Sequence, residues 1–279
     1  MTSRPFPFRQ VDVFADTPLL GNPVAVVHDA DDLSEEEMRR FARWTNLSET
    51  TFLLSPTDPA ADYRVRIFTP AAELPFAGHP TLGSAHAWLE TGRTPAGERV
   101  VQECAVGLVE LRRTDERLAF AAPPLAESAE PTEDELDTVV RALGIAREDV
   151  VGARRLVNGP RFVAVRLADA AAVLALEPDW SAFGGLEVGV VGLHPEGEEA
   201  ALEVRVFGPD LGFHEDPVTG SFNAAAAQWL VGDVLPASYV AAQGSALGRR
   251  GRVHVETTDD GTTWVGGDTL TTIHGTVVI

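Results

Sequence analysis

Polar and apolar residues alternate from Phe8 to Phe14, the period-2 signature of a half-buried strand. Turn residues follow at Asp16-Thr17-Pro18 and Gly21-Asn22-Pro23, and Val24 to His28 reads as a second strand. Ser34 with Glu37 three residues later forms a capping box, which predicts a helix from about Glu35 to Thr45. Thr51–Ser55 and Tyr63–Phe68 are further predicted strands. Pro80 then falls at the first position of a helix, where its missing N–H costs nothing. That helix is expected to run through His86 and Trp88 to about Thr91, with Gly92 as its stop. Arg99–Leu111, broken at Gly107, and Arg117–Ala121 complete this half as strands.

Ala122 to Pro131 is rich in Pro, Ala and Glu and reads as a linker. Beyond it Thr132 and Glu135 cap a helix to about Leu143. Strands are expected at Leu156–Val157 and Phe162–Leu167, a short helix over Asp169–Leu176, and strands again near Val188–Leu193 and Ala201–Phe207. Pro217 opens a second central helix, which carries Ala224 to Ala227 and ends near Gly232. Arg252–Thr257, Thr262–Gly266 and Thr271–Ile279 close the chain as strands. The fold class is therefore α+β: two similar domains, each a curved, mostly antiparallel sheet around a central apolar helix. One domain is expected over 1–127 plus about 268–279, the other over 128–267.

The halves also share wording. His79-Pro80-Thr81-Leu82-Gly83-Ser84-Ala85-His86-Ala87-Trp88 reads against Asp216-Pro217-Val218-Thr219-Gly220-Ser221-Phe222-Asn223-Ala224-Ala225, 137 residues on, with Pro, Gly, Ser and Ala in register. Phe68-Thr69-Pro70 and Phe207-Gly208-Pro209 lead into the two passages. This alignment sets His79 against Asp216 and leaves Glu49 outside the repeat, in one half only.

Composition narrows the partners. A chain of 279 residues suits about two domains, and 44% hydrophobic residues can fill two cores. The 22 Lys and Arg against 42 Asp and Glu give a formal net charge of −20, a field that repels nucleic acid and anionic membrane surfaces. One cysteine, Cys104, excludes an internal disulfide and reads as a small buried hydrophobe. Met1 to Phe6 lacks the apolar stretch of a leader, and no apolar run approaches the roughly 18 residues of a membrane span. A cytoplasmic location is expected.

Three places carry candidate chemistry. In Phe76-Ala77-Gly78-His79-Pro80, a helix start offers free N–H groups and a partial positive charge, suited to a carboxylate. Gly78 leaves room for close approach, and His is a mediocre N-cap, so His79 reads equally as a structural histidine or a functional one. In Glu215-Asp216-Pro217, Asp216 and Pro217 form an N-cap and first-position pair, which a purely structural cap explains as well as a site does. Gly220 and Ser221 add backbone and hydroxyl donors there. In Asn46-Leu47-Ser48-Glu49-Thr50, Glu49 reads as a surface residue, or, if buried, as an acid/base group with a raised pKa. There is no Gly-x-Ser-x-Gly elbow, phosphate loop or dinucleotide fingerprint. The pairs His79/His86 and His214/Asp216 have no recognised metal spacing. No cofactor and no metal are expected.

These residues resemble the phenazine biosynthesis PhzF-like isomerase family. The matching passages are Val11-Asp12-Val13-Phe14, Gly21-Asn22-Pro23, Leu47-Ser48-Glu49-Thr50-Thr51-Phe52, Arg66-Ile67-Phe68-Thr69-Pro70, Glu73 to Thr81, Glu215 to Ser221, Gln243-Gly244 and Gly248-Arg249, in family order across nearly the whole chain. The resemblance implies the diaminopimelate epimerase fold, two pseudo-twofold related domains with the active-site cleft between them, and commonly a homodimer. Related epimerases place a cysteine at each helix start. Ala77-Gly78-His79 and Asp216-Pro217-Val218 contain none, so thiol chemistry is not expected. The family's acid/base glutamate falls on Glu49, and its histidine, aspartate and serine on His79, Asp216 and Ser221. By this resemblance Glu49, His79 and Asp216 are catalytic, and Ser48, Gly78, Gly220 and Ser221 bind a small-molecule carboxylate substrate. The implied reaction is cofactor-free proton movement on a small unsaturated or cyclic acid, similar to trans-2,3-dihydro-3-hydroxyanthranilate isomerase. Two other readings stay open: an epimerase or racemase of an amino-acid-like compound, with Glu49 and Asp216 as its bases, and a non-catalytic metabolite-binding protein.

Overall fold

The structure is a computed structural model that describes residues 4–113, 117–209 and 213–279, so the first three residues of the N-terminal stretch lie outside it. The chain forms two compact units, Met1–Ala121 with Gly266–Ile279, and Ala122–Val265. The first contains β1 (Pro5–Val13), β2 (Asn22–Val27), α1 (Glu35–Thr45), β3 (Glu49–Leu54), β4 (Tyr63–Phe68), β5 (Glu73–Leu74), α2 (Gly78–Leu89), β6 (Val100–Cys104), β7 (Gly107–Arg113) and β8 (Leu118–Ala121). The second contains β9 (Glu127–Ala129), α3 (Glu133–Leu143), β10 (Gly152–Val157), β11 (Arg161–Arg166), α4 (Ala170–Leu174), β12 (Glu187–Leu193), β13 (Leu202–Gly208), β14 (Phe213–Asp216), α5 (Gly220–Leu230), β15 (Ser238–Gln243), β16 (Gly251–Thr257) and β17 (Thr263–Gly267). The last strand, β18 (Thr269–Val278), returns to the first unit.

Both units follow one strand plan. In the first the pairing runs β18, β1, β2, β3, β4, β6, β7, β8, with β2/β3 and β4/β6 parallel and the rest antiparallel. In the second it runs β9, β10, β11, β12, β13, β15, β16, with β11/β12 and β13/β15 parallel. Each parallel pair brackets a helix or a helix-bearing connection, as a parallel pair requires. The terminal strand of each unit comes from the segment that follows the other half. The presumed linker Ala122–Pro131 therefore contains β9, whose pairing with β10 a Pro-rich composition concealed. The strands β14 and β15 are likewise absent from the sequence expectation.

A central helix is buried nearly all round in each unit: of α2 only His86 and Leu89 escape full burial, and of α5 only Gln228 and Trp229. Small residues permit this closeness. A Cβ on Gly189 of β12 would lie 1.9 Å from Cε2 of Phe222 on α5, and one on Gly83 of α2 would lie 2.3 Å from Cγ1 of Val24 on β2. The outer face of the first sheet packs Phe52 and Leu54 of β3 against Met38, Phe41 and Ala42 of α1. The outer face of the second packs Val188 and Val190 of β12 against Leu136, Val139 and Leu143 of α3 and Val173 of α4. Among the described residues no helix is long and apolar enough to cross a membrane.

Local signals set the outer helices. The Ser34 hydroxyl accepts from the Glu37 N–H at 3.3 Å while the Glu37 carboxylate accepts from the Ser34 N–H at 2.8 Å. Thr132 and Glu135 repeat the device at 3.2 and 2.8 Å. We expect Ser34→Ala to cost about 1 kcal/mol in urea denaturation, the usual worth of an N-cap, with activity unchanged.

The repeat itself has a different register from the one the wording suggests. Glu73 pairs with Phe68 and Glu215 with Phe207, and the central helices start at Gly78 and Gly220. The matching positions are thus 142 residues apart, so that Leu74 answers Asp216 and His79 answers Ser221. The physical reason is loop length: four residues separate Phe68 from Glu73 and seven separate Phe207 from Glu215. The shared Pro, Gly, Ser and Ala reflect the small residues that both helix starts need. Pro80 is accordingly the third helical residue, still among the four whose N–H has no helical partner, and Pro217 precedes the helix by three residues.

Candidate active site

Alternation along β3 decides where Glu49 points. Phe52 and Leu54 turn outward to α1, whereas Thr51 turns inward and accepts a hydrogen bond from Ser84 of α2 at 3.0 Å. Glu49, two residues before Thr51, shares that inward face. It stands at the start of α2, where the His79 Nε2 lies 3.4 Å from its Oε2, with 14% of the Glu49 side chain exposed. The Nδ2 of Asn22 lies 3.4 Å from the other ring nitrogen of His79. The Gly21 N–H donates to the buried Asp12 carboxylate at 3.2 Å, which holds the turn that leads into Asn22, the first residue of β2. A Cβ at Gly21 would meet the Val13 carbonyl oxygen at 2.3 Å, so only glycine fits this turn.

Burial pushes the His79 pKa down to about 3, against a hydrogen bond with the Pro23 backbone that works the other way. The imidazole is neutral at physiological pH, so its approach to Glu49 is a polar contact and not an ion pair. Ser48 sits half-buried in the turn just before Glu49, and Gly78 is the first residue of α2. The structure thus gathers Ser48, Glu49, Gly78 and His79 at one helix start.

In the second unit it gathers Asp216, Gly220 and Ser221. Asp216 ends β14 and is buried. It is not the helix N-cap expected from the Asp-Pro pair, because Thr219 occupies that position. Instead the Thr219 hydroxyl donates to the Asp216 carboxylate at 2.6 Å. Gln243 knots this segment: its Nε2 donates to the Asp216 carbonyl at 3.2 Å and the Thr219 hydroxyl at 3.0 Å, and its Oε1 accepts from the Thr219 N–H and from Asn223, each at 2.9 Å. The Asn158 Nδ2 donates to the Ser221 carbonyl at 2.8 Å. The sequence reading assigned no role to Asn22, Asn158 or Gln243. Gln243 stood in a quoted passage, but nothing local ties it to a loop 24 residues away.

The belief that Glu49 lacks a counterpart is also overturned. β12 opens on Glu187 as β3 opens on Glu49, one residue before the strand expected from Val188. Cys104 lies in β6, where burial pushes its thiol up, away from thiolate character. Among the described residues no group of three or more His, Cys, Asp or Glu is arranged to hold a metal ion.

The model of the PhzC-PhzF family, described as phenazine biosynthesis-like protein, matches residues 11–279. The trans-2,3-dihydro-3-hydroxyanthranilate isomerase of Pseudomonas chlororaphis is 40% identical over 216 residues, covering 76% of this chain and 74% of that one. Antisense-enhancing sequence 1 of Schizosaccharomyces pombe is 37% identical over 290 residues, covering 96% and 97%. The crystal structure of a PhzF-family phenazine biosynthesis protein from Bacillus anthracis superposes with a TM-score of 0.85 at 22% identity, covering 99% and 100%. At that identity the likeness speaks for the fold, which is the diaminopimelate epimerase-like α+β fold.

Proposed function

Because this chain belongs to the PhzC-PhzF, phenazine biosynthesis-like family, whose curated relatives include named isomerases, we propose that it is an acid–base isomerase of a small carboxylic acid. The substrate class is an unsaturated or cyclic amino or hydroxy acid, of the kind named in the Pseudomonas chlororaphis relative. The observation that carries the reading is Glu49, a nearly buried carboxylate set 3.4 Å from a neutral His79 at a helix start.

In this reading Glu49 removes a proton from carbon, and the electron pair moves along the conjugated system until another carbon is reprotonated. The reaction is redox-neutral and requires no electron acceptor, so no cofactor is invoked. The N–H groups around Gly78–His79 would cradle the substrate carboxylate, since free helix N–H groups favour an anion, and those around Gly220–Ser221 offer an equivalent cradle in the second unit. Asp216 and the hydroxyls of Ser48 and Ser221 would hold amino or hydroxyl groups, and His79 would steady the developing charge as a neutral donor.

The test is incubation with trans-2,3-dihydro-3-hydroxyanthranilate in D₂O, followed by absorbance and NMR. The expected product is a double-bond isomer protonated at a new carbon. Inversion at one carbon without bond migration would make the protein an epimerase instead. No conversion, together with no thermal stabilisation by a panel of cyclic amino acids and dienoic acids, would leave the metabolite-binding and isomerase readings both unsupported. The homodimer and the cytoplasmic location belong to the same proposal, and light scattering should then give twice the 29.8 kDa of one chain.

A further inference from the structure

The last strand leaves one side of the first sheet open. Arg4 and Ile279 exchange both backbone hydrogen bonds, at 2.9 and 3.0 Å. Successive residues of an antiparallel strand turn their N–H and C=O groups to opposite sides. Val277, Gly275 and Ile273 therefore face β1, opposite Phe6, Phe8 and Gln10. His274, Thr276 and Val278 turn theirs to the free side, and all three residues are exposed. Among the described residues the only ladder over 273–278 is the one with β1.

The same ladder fixes the side chains. Val277 and Ile279 pack on the core that holds Phe6 and Phe41. Ile273 shares their face, yet it is 52% exposed. At the other end of the strand Phe41 and Trp44 of α1 form, with Val277, Val278 and Ile279, an open groove of about 480 Å³. Trp44 is 80% exposed there. Edge strands usually carry charge, proline or a bulge that stops another strand from adding. β18 has no Asp, Glu, Lys, Arg or Pro, and its one register shift, between Gln10 and Val11 of β1, lies before the free stretch.

We propose that this edge joins two copies of the chain, β18 pairing antiparallel with its own copy about a twofold axis at Thr276. The inference deepens the homodimer reading above and rests on it. The outward groups set the register: His274 lies opposite Val278, and Thr276 opposite its own copy. That register also sets Ile273 of one copy opposite Ile279 of the other, at the groove of Phe41 and Trp44. Each copy thus carries both the apolar plug and the groove that receives it, as a twofold interface requires. The main-chain ladder supplies affinity and the plug fixes the register. Charge favours the same occupant. Two chains of net charge −20 repel each other, and an uncharged strand lets them meet without setting acid against acid.

The experiment runs light scattering over a dilution series, and hydrogen exchange of the C-terminal strand, on the parent and three variants, with thermal melts to confirm folding. Ile273→Lys brings an ammonium to a groove that Arg40 also lines. Thr276→Pro removes an outward N–H and leaves the ladder with β1 complete. Leu247→Lys alters an exposed apolar residue of the second unit and serves as the control. The parent is expected at twice the 29.8 kDa of one chain, with the His274, Thr276 and Val278 amides protected. Ile273→Lys and Thr276→Pro should each weaken the dimer at least about 30-fold and free those amides to exchange, whereas Leu247→Lys should change neither. If Thr276→Pro does not fold, Ile273→Lys decides, since its side chain is exposed in one copy. A dimeric parent whose edge amides exchange freely, or whose folded edge variants stay dimeric, overturns the inference and leaves the homodimer reading intact. A parent that is monomeric throughout overturns the homodimer reading and this inference with it.

Discussion

Glu49→Gln is expected to lower kcat on trans-2,3-dihydro-3-hydroxyanthranilate about 10³-fold while leaving the folded state within about 0.5 kcal/mol of the parent. The substitution keeps the size and planarity of the side chain and removes the base. Nothing beside it can take over. His79, pushed down to about 3, is too weak a base at neutral pH, and Ser48 is a hydroxyl with no base assigned to it. Little packing is lost, because Glu49 is the first residue of β3 and touches the helix start through its polar end. Steady-state kinetics with KM recorded separately, and urea denaturation alongside, give the two readouts. A variant within tenfold of the parent would mean that another group removes the proton.

The second large effect concerns stability and uses the repeat as its own control. In the second unit Arg205 donates to both oxygens of Glu215, at 3.0 and 2.7 Å, with 6% and 4% of the two side chains exposed. A further donor of Arg205 reaches the carbonyls of Val173 and Leu176 at 3.3 and 2.8 Å, and the guanidinium lies 5.0 Å from the Phe207 ring centre. The first unit carries the same device: Arg66 donates to both oxygens of Glu73 at 2.7 and 2.6 Å and lies 5.1 Å from the Phe68 ring centre. There both side chains are 27% exposed.

Once Glu73 is gone Arg66 keeps Glu35, which accepts from it at 2.8 Å, and water can solvate it; water cannot reach Arg205. We expect Glu215→Ala to cost about 3–5 kcal/mol, because it strands a buried cation. Glu73→Ala should cost about 1 kcal/mol or less, the worth of a partly exposed pair. Urea denaturation of the two variants checks the contrast. Equal costs would show that burial does not decide the value of this pair.

The helices α1 and α3 were legible in the sequence to the residue at Thr45 and Leu143, because a capping box and an apolar stripe involve residues no more than four positions apart. Tyr63–Phe68 was legible for the same kind of reason, since strict alternation is a local property. Glu49, His79, Asp216 and Ser221 were picked out as candidates because each sits in a short passage shared with a family. Their grouping at two helix starts, Glu49 beside His79 and Asp216 near Ser221, is a property of the fold.

The register of the duplication was beyond the sequence, because it depends on which strands pair and on how long the loops between them are. The seven residues between Phe207 and Glu215, against four between Phe68 and Glu73, move the offset from 139 at the two phenylalanines to 142 at the helix starts, so the match at 137 residues misleads. With the strand ladders in place, His79 answers Ser221, and Glu49 gains Glu187 as its counterpart. By itself the sequence determined what depends on neighbours along the chain: caps, alternation, charge and the passages that mark a family. Tertiary structure alone decided what depends on neighbours across the sheet: which residues repeat one another, which acid is buried, and that Gln243 ties down the loop bearing Asp216.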